Sequence, residues 1–335
     1  MLAYTVRRLL AAIPILLAAS FIVFILVSIS GDPLEPLRLR NPPVPEETIR
    51  LREQMLYLDR SIFERYWLWL TGIGGDGEVG LLKGKFGPSV FPSRDIGEEL
   101  LNRSWVTFRL VFAAMILAVL LAIVAGVLSA VKQYSRIDYT FTFLGFLALS
   151  IPLFWFAILL KNAGIKINEI MGSQVFFTIG EASPDTRGFT AWERITDIAG
   201  HMILPTLSLM LLNYAAWSRY LRGSMLEVLN SDYVRLARAK GLRQRQVMTR
   251  HALRTALIPL TTQTAIDIGG IIGGAVITET VFQWRGLGRL LLESVTQRDV
   301  FAVMGWLLLA GSVVIIFNLI ADLLYAVLDP RIRYE

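Results

Sequence analysis

Six apolar stretches, each about long enough to cross a lipid bilayer, constrain this chain of 335 residues more than any other feature. They lie at residues 9–30, 105–131, 140–161, 201–220, 261–283 and 300–327. About 20 apolar residues match the hydrocarbon core of a bilayer, where a single segment satisfies its backbone polar groups only as a helix. The sequence therefore predicts an all-α integral membrane protein with six transmembrane helices.

The composition excludes several classes of function. Hydrophobic residues make up 54% of the chain and charged residues 18%, which is typical of a multi-pass membrane protein. The absence of cysteine excludes disulfides, thiol catalysis and thiolate metal sites. The two histidines do not form an H-E-x-x-H motif, and residues 80–86 have the wrong spacing for a P-loop. We therefore predict that the chain is not an enzyme and that it holds no metal, nucleotide or other cofactor.

The placement of positive charge predicts the orientation in the membrane. Basic residues precede the first apolar stretch, occupy the turn at residues 132–138, follow the last stretch and number nine within residues 219–258. Because cytoplasmic segments are enriched in Lys and Arg, we expect both termini and residues 219–258 on the cytoplasmic side of the membrane. The same rule accounts for the net charge of +6 without a nucleic-acid partner.

Three parts follow from this topology: an N-terminal anchor helix (1–30), a large extracytoplasmic loop or cap (31–104), and a five-helix core (105–335). Within the loop, residues 46–70 mix apolar and charged residues in a pattern that predicts one amphipathic helix. The loop is longer than a connector requires. Two interpretations stay open, a passive cap over the helix ends and a docking surface for another protein.

A basic segment without a spanning helix, residues 232–259, predicts a helix, a sharp turn and a second helix. Ser231 or Asp232 is a suitable helix N-cap, and Gly241 is suited to reverse the chain with a positive φ. Helical spacing places Tyr233, Leu236, Ala237 and Lys240 on one face. The second helix is expected from Arg243 to Leu257. Such a hairpin suits either a groove on a soluble partner or anionic lipid headgroups.

The same segment resembles a known family. Ala237, Ala239 and Gly241, with Arg250-His251-Ala252-Leu253 nine residues later, resemble the coupling loop of ABC-importer permeases. The whole string is similar to the dipeptide/oligopeptide branch, which also contains nickel and glutathione importers. Two positions depart from the general loop: Arg235 stands in place of a usual Glu, and Arg254 in place of a Pro. Both substitutions fit the peptide branch.

Other stretches look like landmarks of the same family. They are Gly84–Ser89, Ser150–Pro152, His201–Pro205, Glu279–Phe282 with Gly286–Gly288, and Leu328–Tyr334. Arg285 replaces a Pro that usually precedes Gly286 in this family, which predicts a looser turn there.

The resemblance implies a permease subunit that forms half of a translocation pathway for peptides. It implies a homologous second permease, two cytoplasmic ATPase subunits that bind ATP and Mg²⁺, and an extracytoplasmic solute-binding protein. Residues implied in ATPase coupling are Tyr233, Arg235, Ala237, Arg238, Ala239, Lys240, Gly241, Leu242 and His251. Residues implied in the pathway or in helix packing are Gly269, Gly270, Gly273, Gly274 and Pro152.

Three alternatives stay open at this stage. The chain could act alone as a secondary transporter, although we find no internal repeat of the kind common in such carriers. It could import nickel- or glutathione-type substrates, or it could be a membrane scaffold that only recruits a partner. For ionisable residues inside the stretches (Arg109, Asp267, Glu279 and Asp322), proximity to the span ends favours a structural role.

Overall fold

The structure is a computed structural model that describes residues 2–92 and 94–328, without the side chains of residues 2–3, 270–274 and 325–328. Helices dominate it, as the sequence predicts. In chain order they are α1 (Leu2–Ile29), α2 (Glu35–Arg38), α3 (Glu46–Met55), α4 (Ile62–Thr71), α5 (Ile96–Val131), α6 (Arg136–Ser150), α7 (Leu153–Met171), α8 (Ala191–Leu229), α9 (Asp232–Ala239), α10 (Gln244–Gln246), α11 (Leu253–Val281), α12 (Leu287–Thr296) and α13 (Val300–Leu328). A 3₁₀ turn lies at Leu81–Lys83, and a π-helical stretch at Val247–Ala252 precedes α11.

The chain divides into two compact units. Within the described residues, the core unit comprises Phe108–Trp284 and residues 316–328, and the cap unit comprises Leu2–Thr107 and Arg285–Ile315. The boundary between the units falls inside α5 and α13, whereas the predicted division at residues 30 and 104 follows membrane topology and stays a prediction.

Four helices are long and apolar enough to cross a membrane, namely α1, α5, α8 and α13. The bent pair of α6 and α7 makes a fifth span if it counts as one. The predicted fifth stretch, residues 261–283, lies in α11, and five of its side chains (270–274) are outside the described residues. Six spans therefore stay a prediction.

The predicted single helix over the third stretch, residues 140–161, is wrong. Ile151 and Pro152 are extended, with ψ of 123° and 134°, and they separate two helices that bend by 103°. Proline lacks an amide hydrogen and disfavours a helical conformation in the residue before it. The helix is thus completely broken at Ile151 and Pro152, and α7 continues to Met171.

Helix α8 is the centre of the core unit, because α6, α7 and α11 all pack against it. It is longer than the predicted stretch at 201–220. A capping box fixes its start, where the Thr190 hydroxyl accepts from the Glu193 amide at 3.3 Å and the Glu193 carboxylate accepts from the Thr190 amide at 2.7 Å. Its last turns, up to Leu229, occupy the beginning of the segment predicted as a cytoplasmic connection.

In the cap unit, the predicted single helix over residues 46–70 is also wrong. Two helices, α3 and α4, replace it, because Tyr57 adopts a positive φ of 55° and Ser61 starts a new helix with Glu64 in a capping box. Beyond α4, the strands Val79–Gly80 (β1) and Lys85–Phe86 (β2) pair antiparallel. We call residues 31–95 the cap.

Part of the cap lies along α1 rather than beyond its end. The Tyr66 hydroxyl in α4 lies 2.9 Å from the Ser20 hydroxyl and 3.2 Å from the Leu17 carbonyl oxygen, and its ring packs edge-on against Phe24. Leu17 is twelve residues before the end of α1 at Ile29, which is about 18 Å along a helix. Helix α4 therefore packs along the C-terminal half of α1.

The stretch Gly84–Ser89, noted above as a family landmark, fastens the cap to the start of α13. Gly87 has a φ of 101°, and a Cβ there would lie 3.0 Å from the Phe301 ring, so both backbone conformation and space favour glycine. Buried Asp299 accepts hydrogen bonds from the Ser89 hydroxyl (2.6 Å) and the Val90 amide (3.1 Å). It also caps α13 by accepting from the Ala302 amide at 3.2 Å.

Candidate functional site

The predicted helix–turn–helix is present at residues 231–252, which we call the basic hairpin. Its first arm, α9, begins at Ser231, whose backbone is extended (φ −71°, ψ 152°). The Ser231 hydroxyl donates to the Val228 carbonyl at 2.6 Å and makes no capping bond to α9, so the prediction of a side-chain cap at Ser231 is wrong. Asp232 occupies the first turn, where a negative charge interacts favourably with the helix dipole.

The predicted reversal at Gly241 is confirmed. Gly241 has a φ of 77°, its amide donates to the Arg238 carbonyl at 3.0 Å, and the Leu242 amide donates to the Ala237 carbonyl at 3.4 Å. This pair of bonds is a Schellman motif, which ends a helix with a residue in the left-handed conformation. A Cβ at Gly241 would meet no atom within 4 Å, so backbone conformation rather than crowding selects glycine here.

The second arm does not end at Leu257 as predicted. It starts with α10, passes through the π-helical stretch and continues without interruption into α11, which includes Pro259 and ends at Val281. Single π-helical turns inside longer helices are often found at functional sites. One continuous helical rod thus joins the basic hairpin to the predicted fifth span.

Small apolar residues fill the inside of the basic hairpin. Val234 and Ala237 of α9 are 0% and 5% exposed, and Val247 and Ala252 of the facing arm are both 0% exposed. Ala237 was predicted on one face with Tyr233 and Leu236, but it lies inside while those two lie outside. The hairpin is therefore stabilised by its own apolar contacts and needs no partner to bury them.

The outer face of the basic hairpin combines exposed apolar and basic side chains. Tyr233 is 44% exposed, Leu236 56% and Leu242 38%. Exposed beside them are Arg235, Arg238, Ala239, Lys240 and Gly241, while His251 is half-buried. We call Tyr233, Leu236 and Leu242, together with Arg235, Arg238 and Lys240, the outer face. Exposed apolar residues among basic ones are typical of a surface that contacts another protein.

An ion pair between half-buried Arg222 and buried Asp138 joins the last part of α8, which leads into the hairpin, to the start of α6. The Arg222 guanidinium in α8 donates two hydrogen bonds of 2.8 Å to the Asp138 carboxylate, which also accepts from the Tyr134 amide at 3.0 Å and from the Ser129 hydroxyl. Asp138 is 2% exposed. The pair brings the turn at residues 132–138 and the end of α8 to the same end of the core unit, as the charge-based topology requires. Eighty-four residues separate the partners, and no sequence motif links them.

Of the residues predicted in the pathway or in packing, Pro152 is exposed and Gly269 is half-buried. The surroundings of Gly270, Gly273 and Gly274 lie outside the described residues. Close to Gly269, the Asp267 carboxylate accepts from the Trp217 indole at 2.7 Å and from Gln263 at 2.8 Å. This contact joins α8 to α11, which supports a structural role for Asp267.

Two further polar residues of the core unit are engaged in internal contacts. Arg109 donates to the Glu181 carbonyl at 3.2 Å, and its guanidinium lies 5.3 Å from the centre of the Trp284 ring system. Buried His201 stacks on Phe177 with ring centres 4.0 Å apart, and its Nδ1 lies 2.9 Å from the Asp197 carbonyl oxygen. The contacts of Arg109 support the structural role predicted for it.

The sequence matches two models of known protein families. Residues 119–334 match the family model described as "Binding-protein-dependent transport system inner membrane component". The chain belongs to this family. Residues 1–111 also match the companion model for the N-terminal part of such membrane components. The chain is therefore a multi-pass transport component of the inner membrane.

Curated relatives match over nearly the whole chain. The oligopeptide transport system permease OppB of Mycobacterium tuberculosis is 37% identical and covers 98% of both chains. AppB of Bacillus subtilis, an oligopeptide permease, is 36% identical, and the dipeptide permease DppB of Escherichia coli is 34% identical, each over 100% of both chains.

A solved structure shares part of the fold. A chain of the MetNI methionine ABC transporter, in an inward-facing conformation, aligns with a TM-score of 0.54 at 16% identity. The alignment covers 71% of this chain and 99% of that one. At this identity the likeness shows the fold alone.

Proposed function

We propose that this chain is the permease subunit of a peptide importer and that the outer face of the basic hairpin docks onto separate ATPase subunits. The names of the relatives support the peptide assignment. The docking assignment rests on the difference in exposure between the inner and outer apolar residues of the hairpin. Its inner apolar residues are already buried against each other, while Tyr233, Leu236 and Leu242 stay exposed.

The hairpin is built to pass a displacement into the membrane helices. Its second arm is continuous with α11, and the Ser224 hydroxyl of α8 donates to the Ala256 carbonyl of α11 at 3.1 Å. The bond from Trp217 to Asp267 joins the same two helices. A force applied to the outer face would therefore move α8 and α11 together, which suits a pathway that opens alternately to either side.

The remaining partners belong to the same proposal. A homologous second permease would complete the translocation pathway, and a solute-binding protein would deliver peptide to the cap. ATP and Mg²⁺ would bind in the ATPase subunits. The basic hairpin and both termini would lie in the cytoplasm, in keeping with the placement of positive charge.

Topology is tested directly by introduced cysteines, because the natural chain has none. We expect an impermeant thiol reagent to label Glu78→Cys in the cap and to leave Gln244→Cys in the hairpin unlabelled in intact cells. Both positions are exposed, so burial does not account for a missing label. The reverse pattern would invert the orientation and remove the hairpin from the ATPase side.

Docking is tested by Leu236→Glu, which places a negative charge on the outer face without touching the inner apolar contacts. We expect the purified complex to lose its ATPase subunits and its ATP-driven peptide uptake in proteoliposomes. The control Gln244→Ala changes an exposed residue beyond the turn and should behave like the natural protein. Full stoichiometry and uptake with Leu236→Glu would argue against docking, and uptake by this chain alone would favour a secondary carrier.

A further inference from the structure

Arg65 in the cap is a buried cation without an anionic partner. The residue is 6% exposed, and its Nε is buried without a hydrogen-bond partner among the described residues. The guanidinium carbon lies 5.7 Å from the centre of the Phe24 ring. Burying an unpaired charge is costly, so an anion bound beside Arg65 would be energetically favourable.

Arg65 lines a cavity of about 290 Å³ within the cap unit. A second unsatisfied donor lines the same cavity, since the buried Ser28 hydroxyl also has no hydrogen-bond partner among the described residues. Two unpartnered donors at one cavity, one of them charged, are the chemistry of an anion site.

Neighbouring carboxylates do not serve as the anionic partner of Arg65. Arg38 pairs with Asp32 at 2.9 Å and with Glu53, while Arg298 pairs with Glu35 and donates to the Asp32 carbonyl at 2.8 Å. Each acid is thus already bonded to another arginine. Arg65 is left as the cation available to an external anion.

The depth of the cavity indicates where the anion comes from. Ser28 lies in the last turn of α1, and Phe24 lies one turn deeper. Helix α1 exposes Ile22, Leu26 and Ile29 at this level, and the neighbouring α4 exposes Phe63 (68%) and Trp67 (56%). Aromatic residues concentrate where the hydrocarbon meets the headgroups, which is also where phospholipid phosphates lie.

We propose that this cavity binds the phosphate of a phospholipid in the leaflet at the C-terminal end of α1, with Arg65 and Ser28 as donors. The planar guanidinium suits bidentate contact with phosphate. Acyl chains of the same lipid would lie on the exposed apolar surface of α1 and α4. A lipid held there would fix α4 against α1, and with it the cap.

The test uses the assembled complex in detergent, with lipid binding followed by native mass spectrometry. Three probes are compared: phosphatidylglycerol, a diacylglycerol with the same acyl chains, and inorganic phosphate. We expect Arg65→Met to weaken phosphatidylglycerol binding about tenfold or more, as loss of a charge-assisted hydrogen bond to phosphate would. The control Arg50→Met removes an exposed arginine of α3 and should leave binding unchanged.

Several outcomes would overturn the proposal. Equal phosphatidylglycerol binding by the natural protein and by Arg65→Met would remove Arg65 from any lipid site. Diacylglycerol binding as tightly as phosphatidylglycerol would show that no phosphate is recognised. Retention of inorganic phosphate in an Arg65-dependent manner, without preference for lipid, would make the occupant a soluble anion.

A milder variant keeps the proposal testable if Arg65→Met does not assemble. Ser28→Ala removes only a hydroxyl and should weaken phosphatidylglycerol binding about two- to tenfold, the range for one neutral hydrogen bond. Unchanged binding in an assembled Ser28→Ala complex would contradict the proposed donor pair.

Discussion

The basic hairpin and the cap are held in place by different kinds of contact. In the hairpin, the bonds that set its shape join near neighbours, such as Gly241 to Arg238 and Leu242 to Ala237. In the cap, the decisive bonds reach across the sequence: Ser89 meets Asp299 over 210 residues, and Arg298 meets the Asp32 carbonyl over 266. The shape of the hairpin therefore depends on local bonds and can be kept while it contacts a partner. The shape of the cap depends on bonds to distant residues of the cap unit.

This difference bears on the proposed roles. An element that docks onto a moving partner must keep its shape while its position changes, and local bonds allow that. An element bonded to the ends of several helices depends on those helices for its shape. The comparison therefore predicts that substitutions in the hairpin alter coupling, while substitutions at cap contacts alter stability.

The largest expected effect concerns the ion pair between Asp138 and Arg222, which lies in the last part of α8. Arg222→Met leaves the buried Asp138 carboxylate without its ion-pair partner. Removing one member of a buried pair costs about 3–5 kcal/mol. We expect a loss of that size in the free energy of unfolding, measured by denaturant unfolding in detergent micelles.

Two further variants sharpen this result. Arg219→Met, one turn earlier in α8, removes an arginine that lies 4.8 Å from the Phe146 ring centre and pairs with no carboxylate among the described residues, so it should cost about 0.5–1 kcal/mol. Asp138→Leu combined with Arg222→Met should recover most of the loss, because it removes the uncompensated charge. Equal losses of unfolding free energy in Arg222→Met and Arg219→Met would mean that the ion pair has no special role in stability.

The second effect concerns the turn of the hairpin. Gly241→Val places a β-branched residue at a φ of 77°, which costs about 1–3 kcal/mol of backbone strain. That amount is small for the helical bundle but large for one docked hairpin. We expect normal membrane insertion, with ATP hydrolysis no longer linked to peptide uptake in reconstituted complexes.

Asparagine provides the matched control at this position. Asn adopts the left-handed conformation more readily than other non-glycine residues, and the space around Gly241 is open. Gly241→Asn should therefore retain most of the uptake per ATP. If Gly241→Val also retained the uptake of peptide per ATP, the conformation of this turn would have no part in coupling.

The contrast between the two regions also explains what could be predicted from the sequence. The turn at Gly241 depends on a local signal, a glycine after a short amphipathic helix, and it was predicted correctly. The break of residues 46–70 into α3 and α4 depends on Tyr57 and on packing against α1, which local periodicity does not report. The same holds for the pair of Arg222 and Asp138, whose partners lie 84 residues apart.

The inner and outer faces of the hairpin were only partly predictable, for a related reason. Helical spacing groups Tyr233, Leu236 and Ala237, but which part of that face is buried depends on the opposing arm. That arm contains the π-helical stretch at Val247–Ala252, which the regular helical spacing of the sequence does not anticipate. Val234, absent from the predicted site, is fully buried.

A smaller, pH-dependent effect is expected at Asp299, which accepts hydrogen bonds from Ser89 and Val90 of the cap. Burial raises the pKa of Asp299 above its usual value of 3.8, although its hydrogen bonds from Ser89, Ala302 and Val90 and the nearby charge of Arg94 oppose the shift. The Asp299 carboxyl therefore stays protonated to a higher pH in the folded state than in the unfolded state. As pH rises from 3.8 through the raised pKa, Asp299 should make folding progressively less favourable, with no further change above it.

Asp299→Asn tests this by removing the titrating group. The difference in thermal midpoint between the natural protein and Asp299→Asn, followed against pH by tryptophan fluorescence, should shift in favour of the variant as pH rises through that window. Ser89→Ala keeps the carboxylate but removes a bond that lowers its pKa, so it should extend the window upward. A pH-independent difference between the natural protein and Asp299→Asn would refute the linkage.

The smallest effect is expected on the outer face, where the comparison predicts no contribution to stability. Arg235 lies 3.7 Å from Asp232, but the two side chains are 68% and 100% exposed. Water and salt screen such a pair, so Arg235→Gln should leave the unfolding midpoint unchanged. Because Arg235 belongs to the proposed docking face, the same variant should still weaken ATPase binding, and more so at low ionic strength, where its charge is least screened. Pull-down of ATPase subunits at two salt concentrations measures this. A variant that lowered stability but not ATPase binding would assign the outer face to the fold rather than to a partner.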